Sequence, residues 1–472
     1  MTGAYDAVVI GAGPAGLAAA TLLAERQARV VLVDEQPAPG GQIYRAVEGM
    51  TARQPELFEA LGPDYAHGDE LVTLFRTFGA EYRSQSTVWQ ISPADGSDAA
   101  HEVWLSRGGR SELLQARNVV VATGAMERPV PVPGWTLPGA MTAGAVQVML
   151  KSAGVVPEGM VLAGSGPLLY LLAGQCLALG ARITAVLDTT ARANEQAALR
   201  HLPAALRGAG FGYLVKGLAL KLRLRRAGVP IFRRVTDIAL QGTSEVTDIS
   251  FRSRGRPMWL SADLVALHEG VIPAQQITRS IGCVHDWDAV QHCFRACTDA
   301  WGNSSVDGVL VAGDGAGIGG ARAAEHAGRI AAAEVLRRLG VADAAGRDAL
   351  AAADLRGRAA HLAIRPFLDR LYAPPAAILR PADAVMVCRC EEVTAGAIRG
   401  VVQQGCLGPN QAKSFLRAGM GPCQGRMCGP VVSELIAEAR GVGVEEVGYY
   451  RIRPPLKPIT VGELAALDVS GA

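Results

Sequence analysis

The feature that most constrains this chain is a glycine turn near its amino end, set between two apolar runs. Ala7–Ile10 leads into Gly11-Ala12-Gly13-Pro14-Ala15-Gly16. An alanine-rich segment, Leu17–Glu25, follows, and a second apolar run, Arg29–Val33, ends on Asp34-Glu35. Uninterrupted apolar runs of this length suit strands buried on both faces of a parallel sheet, so the segment reads strand, turn, helix, strand. The three glycines have separate tasks. Gly11 makes the tight turn, Gly13 lets the backbone approach a pyrophosphate, and Gly16 lets the helix sit close to the strand. The phosphates then face the helix N-terminus around Pro14 and Ala15, where unpaired N–H groups favour anions. Asp34 stands 23 residues after Gly11, placed to accept ribose hydroxyls, with Glu35 the neighbouring alternative.

A second unit of the same order begins about 150 residues later. Met160–Ala163 is the expected strand, Gly164–Pro167 the turn, Leu168–Leu179 the helix and Arg182–Leu187 the next strand. Two such units in one chain point to an α/β protein with two Rossmann-like three-layer nucleotide-binding domains. The second turn is degraded: Leu169 stands where the third glycine belongs and is expected to push helix and strand apart. Asp188 favours NAD over NADP, and whether NAD or another nucleotide sits at Gly164–Gly166 stays open. Gly159–Ala181 holds no charged residue, but its central Gly164-Ser165-Gly166-Pro167 reads as a turn inside a soluble domain rather than a membrane span.

Two further short strands complete the first site. Val119-Val120-Val121 runs into Ala122-Thr123-Gly124, and Val309-Leu310-Val311 runs into Ala312-Gly313-Asp314 ahead of an alanine-rich helix from about Gly320 to Leu339 that includes Ala321. An acid at that strand end suits the long ribityl chain of FAD, and the helix dipole would face the flavin ring. Glycine makes up 56 of the 472 residues, about 12% against a usual ~7%. With no collagen-like triplet, that excess fits repeated close approaches of backbone to cofactors. A formal charge of +2 with no long basic run argues against nucleic acid, and the amino end lacks a signal peptide's basic and apolar regions, so the reading is cytoplasmic with no transmembrane segment.

Cysteine usage marks a further domain. Cys388-Arg389-Cys390 is followed by Cys423-Gln424-Gly425-Arg426-Met427-Cys428, with Cys406 between them read as a buried spare thiol. Four thiolates suit zinc or an iron–sulfur cluster. CxC with a distant pair is closer to 2Fe-2S usage than to paired zinc knuckles. Gly419, Gly421, Gly425 and Gly429 would bring bare N–H groups to the sulfurs. The balance of five basic residues to two acidic ones over 386–430 offsets an anionic cluster. Residues 1–340 hold no CxxC or CxxxxC pair, which disfavours disulfide reduction. Cys293 and Cys297 there read as thiols packed on a helix.

Gly11–Gly16, Gly40-Gly41-Gln42, Ala122-Thr123-Gly124 and Ala312-Gly313-Asp314 resemble the glutathione and thioredoxin reductase superfamily. The cysteine segment is similar to the bacterioferritin-associated-ferredoxin-like (BFD-like) 2Fe-2S domain. Together with Gly40–Arg45, Ala125–Pro129, Gly134–Gly139 and Gly419–Arg426, nearly the whole chain resembles one family. That family comprises the FAD-containing A (alpha) subunits of opine oxidases, D-hydroxyproline dehydrogenases and hydrogen cyanide synthase, and is similar to the sarcosine oxidase alpha subunit. The resemblance implies FAD held by residues 1–150 and 295–340 through Gly11, Gly13, Pro14, Ala15, Gly16, Asp34, Glu35, Gly41, Gln42, Ala122, Thr123, Gly124, Gly313, Asp314 and Ala321. It also implies an inserted nucleotide domain over 151–294, a helical connector over 341–385, a small helical 2Fe-2S domain over 386–445 with Cys388, Cys390, Cys423 and Cys428 as ligands, and an extended tail over 446–472. The implied partner is a D-amino-acid-oxidase-like flavoprotein beta subunit, compatible with peripheral membrane contact and with a small third subunit. The leading expectation is an electron-relay subunit of an amino- or imino-acid dehydrogenase. The alternatives are a stand-alone NAD(P)H-dependent reductase, a hydrogen cyanide synthase component that acts on glycine, and a zinc-bearing assembly protein. No catalytic acid or base is assigned.

Overall fold

A computed structural model describes residues 4–94 and 100–467. The amino-terminal sheet has seven strands, with Tyr5–Ile10 at its centre. Val30–Val33 and the second half of Arg110–Val121 flank it in parallel, Val8 standing opposite both Val31 and Val119. Glu81–Arg83 adds beyond Val30–Val33, and Val309–Val311 pairs with residues 119–121. Arg110–Val121 does two jobs. Its first half, partly exposed, runs antiparallel to His101–Arg107, which pairs with Thr87–Pro93, while its last four residues are continuously buried in the parallel sheet. Alternating and then continuous burial is what a strand passing from an open meander into a covered sheet requires.

Pro14–Glu25 and Ala321–Arg338 cover this sheet and press against each other. A Cβ on Gly328 would lie 2.0 Å from the Ala15 carbonyl oxygen, so only glycine allows that crossing.

The chain leaves this sheet after Val121 and returns at Val309. The outbound segment Ala125–Glu127 and the inbound segment Val271–Pro273 pair antiparallel at the crossing. Between them lies a five-stranded sheet with Gly159–Ser165 at its centre, Arg182–Asp188 and Val265–Glu269 on either side, and Ile231–Arg233 and Ala140–Thr142 at the edges. The uncharged Gly159–Ala181 stretch is thus a strand and a helix, Pro167–Ala178. Among the described residues no helix is long and apolar enough to cross a membrane.

Cys293 does not sit on a helix. Cys293–Ala296 is a strand paired with His285–Asp288, and Cys297 follows it. The antiparallel register, with Cys293 opposite Asp288 and Ala296 opposite His285, makes this segment a strand. Burial pushes the Cys293 thiol up to about 12 and the Cys297 thiol up to about 11, the reverse of what a redox thiol needs.

Helices Ala344–Leu362, Arg365–Leu371 and Ala376–Leu379 lead into the cysteine segment. There Met386–Cys388 pairs with Val393–Thr394 beside helices Ala395–Gln403, Pro409–Leu416 and Gly429–Arg440. The architecture is α/β: two three-layer nucleotide-binding sheets with a small helical unit. The last segment departs from a purely extended surface tail. Tyr450 and Leu456 are buried, the Leu456 N–H donates to the Trp89 carbonyl at 2.7 Å, and Val461–Ala465 forms a helix closed by a Thr460–Glu463 capping box.

Candidate functional site

The first glycine turn follows from sterics. Gly11 has φ +104, and a Cβ there would meet the Ala122 carbonyl oxygen at 2.5 Å. A Cβ on Gly16 would lie 1.8 Å from the Gly11 carbonyl oxygen, which is why helix and strand can approach so closely. Gly13 differs: a Cβ there meets only the Gly41 Cα, at 3.9 Å. A Cβ on Gly41, which has φ +61, would lie only 2.7 Å from the Gly13 Cα. Two glycine backbones therefore face each other at the mouth of the Pro14–Glu25 helix, a bare concave surface suited to an anion. Asp34 closes the turn, accepting from the Ala12 N–H at 2.6 Å and the Gln36 N–H at 2.7 Å, and burial raises its carboxyl. The neighbouring Glu35 pairs its carboxylate with Lys457 of the tail.

Around this turn stand the other expected residues. Gln42 takes a hydrogen bond from Arg45 at 2.8 Å. The Ala122 N–H donates to Ile10, the Thr123 hydroxyl to the Ala274 carbonyl at 3.5 Å, and the Gly124 carbonyl accepts from the Ala274 N–H at 2.9 Å. Gly313, with φ +76, lies under Ala15 and Ala324. Asp314 Oδ1 accepts from the Gly319 and Gly320 N–H groups at 2.8 and 2.9 Å and so caps the loop before Ala321, the first residue of its helix. Its Oδ2 makes no hydrogen bond among the described residues, and Asp314 lines a cavity of about 450 Å³ with Arg295, Arg358 and Arg365. A bare turn, an acid at the second strand end and a spare carboxylate oxygen at Asp314 fit the pyrophosphate, ribose and ribityl parts of FAD.

Lys151 is not legible in the sequence. It is buried in the Ala143–Ala153 helix beneath the Gly40–Arg45 loop and donates to the Ile43 carbonyl at 2.8 Å and Gln147 Oε1 at 3.1 Å. Burial pulls it down to about 7. A single lysine directly after Leu150 on an apolar face gives no periodic signal.

The second turn keeps its two glycines: Gly164 lies against the His268 backbone and Gly166 against the His268 ring. Leu169 is wholly buried in the core. The carboxyl ends of the strands are occupied by the chain itself. Asp188, 4% exposed, receives the Tyr170 hydroxyl and the Thr190 N–H. Glu269, 3% exposed, receives Ser165 Oγ at 2.8 Å and Thr189 Oγ1 at 2.7 Å. Through Ser165, the Glu269 carboxyl is bound to the residue between the two glycines. Arg128, fully buried, donates to the Glu269 carbonyl at 3.2 Å and the His292 carbonyl at 2.9 Å, while the neighbouring Glu127 holds the His268 ring at 2.7 Å and the Gly144 N–H at 2.8 Å.

Burial pushes Glu269 up to about 7 from its usual 4.5. An acid raised on folding binds more protons in the native state between those values, so its contribution to stability falls as pH rises from about 4.5 through 7. Thermal melts should therefore show Glu269→Gln gaining Tm relative to wild type as pH goes from 5 to 8. Parallel pH dependence in the two proteins would refute this.

In the cysteine segment the sulfurs face each other as two pairs, Cys388 with Cys428 and Cys390 with Cys423. No group of three or more His, Cys, Asp or Glu side chains among the described residues is already gathered around one point. The donor set nonetheless suits a cluster. The Cys428 thiol, and after it the N–H groups of Gly419, Glu391 and Cys390, point at the Cys388 sulfur and pull it down to about 6. The glycines have a second task unseen in the sequence. The Cβ position of Gly421 is filled by Cys390, but those of Gly419 and Gly425 are filled by the Tyr450 ring and that of Gly429 by Tyr449. Tyr450 also places its hydroxyl 3.7 Å from Cys428 Sγ. The segment docks on the rest of the chain through Trp135, whose Nε1 donates to the Met386 carbonyl at 2.8 Å. Cys406 is buried, and its thiol donates to the Gly408 carbonyl.

Comparison with known proteins agrees with this layout. Residues 5–333 match the family described as Pyridine nucleotide-disulphide oxidoreductase, and 386–438 the BFD-like [2Fe-2S] binding domain. The A-type subunit of opine oxidase from Rhizobium meliloti (strain 1021) is 48% identical over 466 residues, covering 98% of this chain and 99% of the relative. The HcnB subunit of hydrogen cyanide synthase from Pseudomonas aeruginosa is 33% identical, over 96% of each chain. Among solved structures, L-proline dehydrogenase from P. horikoshii superposes with a TM-score of 0.68 at 18% identity, over 98% of this chain and 79% of that one, a likeness of fold. With glycine turns, inserted sheet and paired cysteines in one arrangement, the chain belongs to the family of opine oxidase A-type subunits, as an FAD-dependent oxidoreductase that also carries a 2Fe-2S cluster domain.

Proposed function

We propose that this chain is the FAD and 2Fe-2S electron-transfer subunit of a hetero-oligomeric bacterial dehydrogenase acting on the C–N bond of an amino or imino acid of the opine or D-hydroxyproline type. It would relay electrons from a partner flavoprotein of the D-amino-acid-oxidase type to an acceptor. The relatives' names, which make each of them one lettered component of an opine oxidase, support a partner. FAD exchanges one or two electrons and the cluster one, so the pair converts hydride chemistry into single-electron steps. The chain's residues would hold these groups: Gly11, Gly13, Gly16, Gly41, Asp34 and Asp314 the FAD, and Cys388, Cys390, Cys423 and Cys428 the cluster.

The observation that carries the relay over a self-contained NAD(P)H reductase is the filled second turn, where Glu269 is bound to Ser165 and Asp188 to Tyr170. Anaerobic addition of NADH to the purified single chain should leave the flavin absorption unbleached, and rapid bleaching would instead establish the stand-alone reductase. Co-purification from the native host tests the relay itself. The expected result is a second flavoprotein together with about two irons per chain. A lone chain active on its own, or zinc in place of iron, would overturn the reading.

A further inference from the structure

The helix Gly210–Arg226 lies in the inserted domain and carries apolar side chains on two opposite faces. Its inner face holds buried Leu224 and half-buried Leu220, the latter against Gly174. On the outer face Phe211, Val215, Leu218 and Leu222 are 60%, 50%, 69% and 43% exposed. At about 100° per residue these four fall within an arc of roughly 60°. A water-facing helix surface normally carries polar residues, so a continuous outer stripe of large apolar groups marks a surface meant to be covered. Leu199 and Leu206, on the segments leading to the helix, are exposed as well.

Charge decides what covers it. Residues 200–228 contain seven basic side chains and no acid. Two of the seven are engaged inward: Lys216 pairs with Asp64, and Lys221 sits 4.5 Å over the Tyr170 ring. Glu195, the acid preceding the segment, is taken by Arg233 and Arg234. Arg223, Arg225 and Arg226 are exposed and form no ion pair among the described residues. Arg225 and Arg226 flank the C-terminal end of the apolar stripe. Unpaired cations beside a narrow apolar stripe complement a layer that offers negative charge at its surface and hydrocarbon just beneath it. The helix is too short and too charged to span such a layer, so it would lie in its plane.

We propose that Gly210–Arg226 docks this protein on an anionic phospholipid surface, with Phe211, Val215, Leu218 and Leu222 entering the headgroup boundary and Arg225 and Arg226 pairing with lipid phosphates. The test is flotation of the full-length, flavin-loaded chain with two kinds of vesicle: pure phosphatidylcholine, and phosphatidylcholine with phosphatidylglycerol at a ratio of about 7:3, a strongly anionic surface. Binding should appear with the mixed vesicles, fall as salt is raised, and stay low with the neutral ones. The double variant Arg225→Gln/Arg226→Gln should partition on the order of 30-fold more weakly, at about one kcal/mol per surface cation. Leu218→Asp should abolish flotation while leaving the flavin spectrum and Tm unchanged, since Leu218 stands mostly in solvent. No flotation with the mixed vesicles, or equal flotation of wild type and Leu218→Asp, would overturn the proposal. So would a Leu218→Asp variant that floats normally but loses a co-purifying protein, which would make the stripe a protein interface.

Discussion

Gly13→Ala is expected to leave this protein folded and to empty its flavin site. Gly13 has an extended backbone that alanine adopts without strain, and the added methyl would meet only the Gly41 Cα, at an ordinary 3.9 Å. The fold then loses no more than the weaker helix-capping of alanine, about 1 kcal/mol or less, and Tm should fall by only about 3 °C. The methyl does, however, stand between the two facing glycine backbones where the pyrophosphate must approach the helix N-terminus. Flavin content of the purified protein should drop more than tenfold.

Gly16→Ala is the contrasting case. Its methyl would lie 1.8 Å from the Gly11 carbonyl oxygen and 3.4 Å from the Ala122 methyl, so the helix must lift off the strand. Overpacking of backbone against backbone costs about 1–3 kcal/mol or more. Flavin and Tm should therefore fall together. Absorption at the flavin band and a thermal melt on both variants separate binding from folding. A Gly13→Ala protein that retains its flavin would show that the pyrophosphate does not lie on this turn.

The contrast also shows what the sequence discloses and what it hides. Strands such as Ala7–Ile10 and Met160–Ala163 are legible because burial on both faces leaves an uninterrupted apolar run, and the turns because glycine spacing answers to backbone sterics. Arg110–Val121 shows only in its last residues. Its first half faces partly outward, and alternating polar residues there look like a surface loop until the antiparallel partner is known. Cys293 and Cys297 read as helical because four-residue spacing puts side chains on one face of a strand as readily as of a helix. The filling of the second nucleotide turn is invisible, because Glu269 reaches Ser165 across 104 residues of chain and no local pattern records such a contact. Tyr449 and Tyr450 are hidden for the same reason: their role lies in glycines 20 to 31 residues earlier.

Those tyrosines shape the second large effect. Cys388→Ser and Cys428→Ser should each take iron from about two per chain to near zero and remove the visible cluster absorption, because a 2Fe-2S cluster in this setting needs all four thiolates. Cys406→Ser should keep its iron, since that sulfur bonds to Gly408 outside the paired set. Flavin content should stay constant in all three, as the glycine turn is built by other elements. Tyr450 separates packing from electrostatics. Its ring fills the space left by Gly419 and Gly425, so Tyr450→Ala unseats the loop that carries Cys423 and Cys428 and should lose iron as severely as a ligand variant. Tyr450→Phe keeps the ring and removes only the hydroxyl 3.7 Å from Cys428 Sγ; it should retain iron and shift the cluster's reduction potential downward, since hydrogen bonds to the sulfurs stabilise the reduced, more negative state. Iron retained in Cys388→Ser would exclude that residue as a ligand. An unchanged potential in Tyr450→Phe would reduce the tyrosine to a packing element.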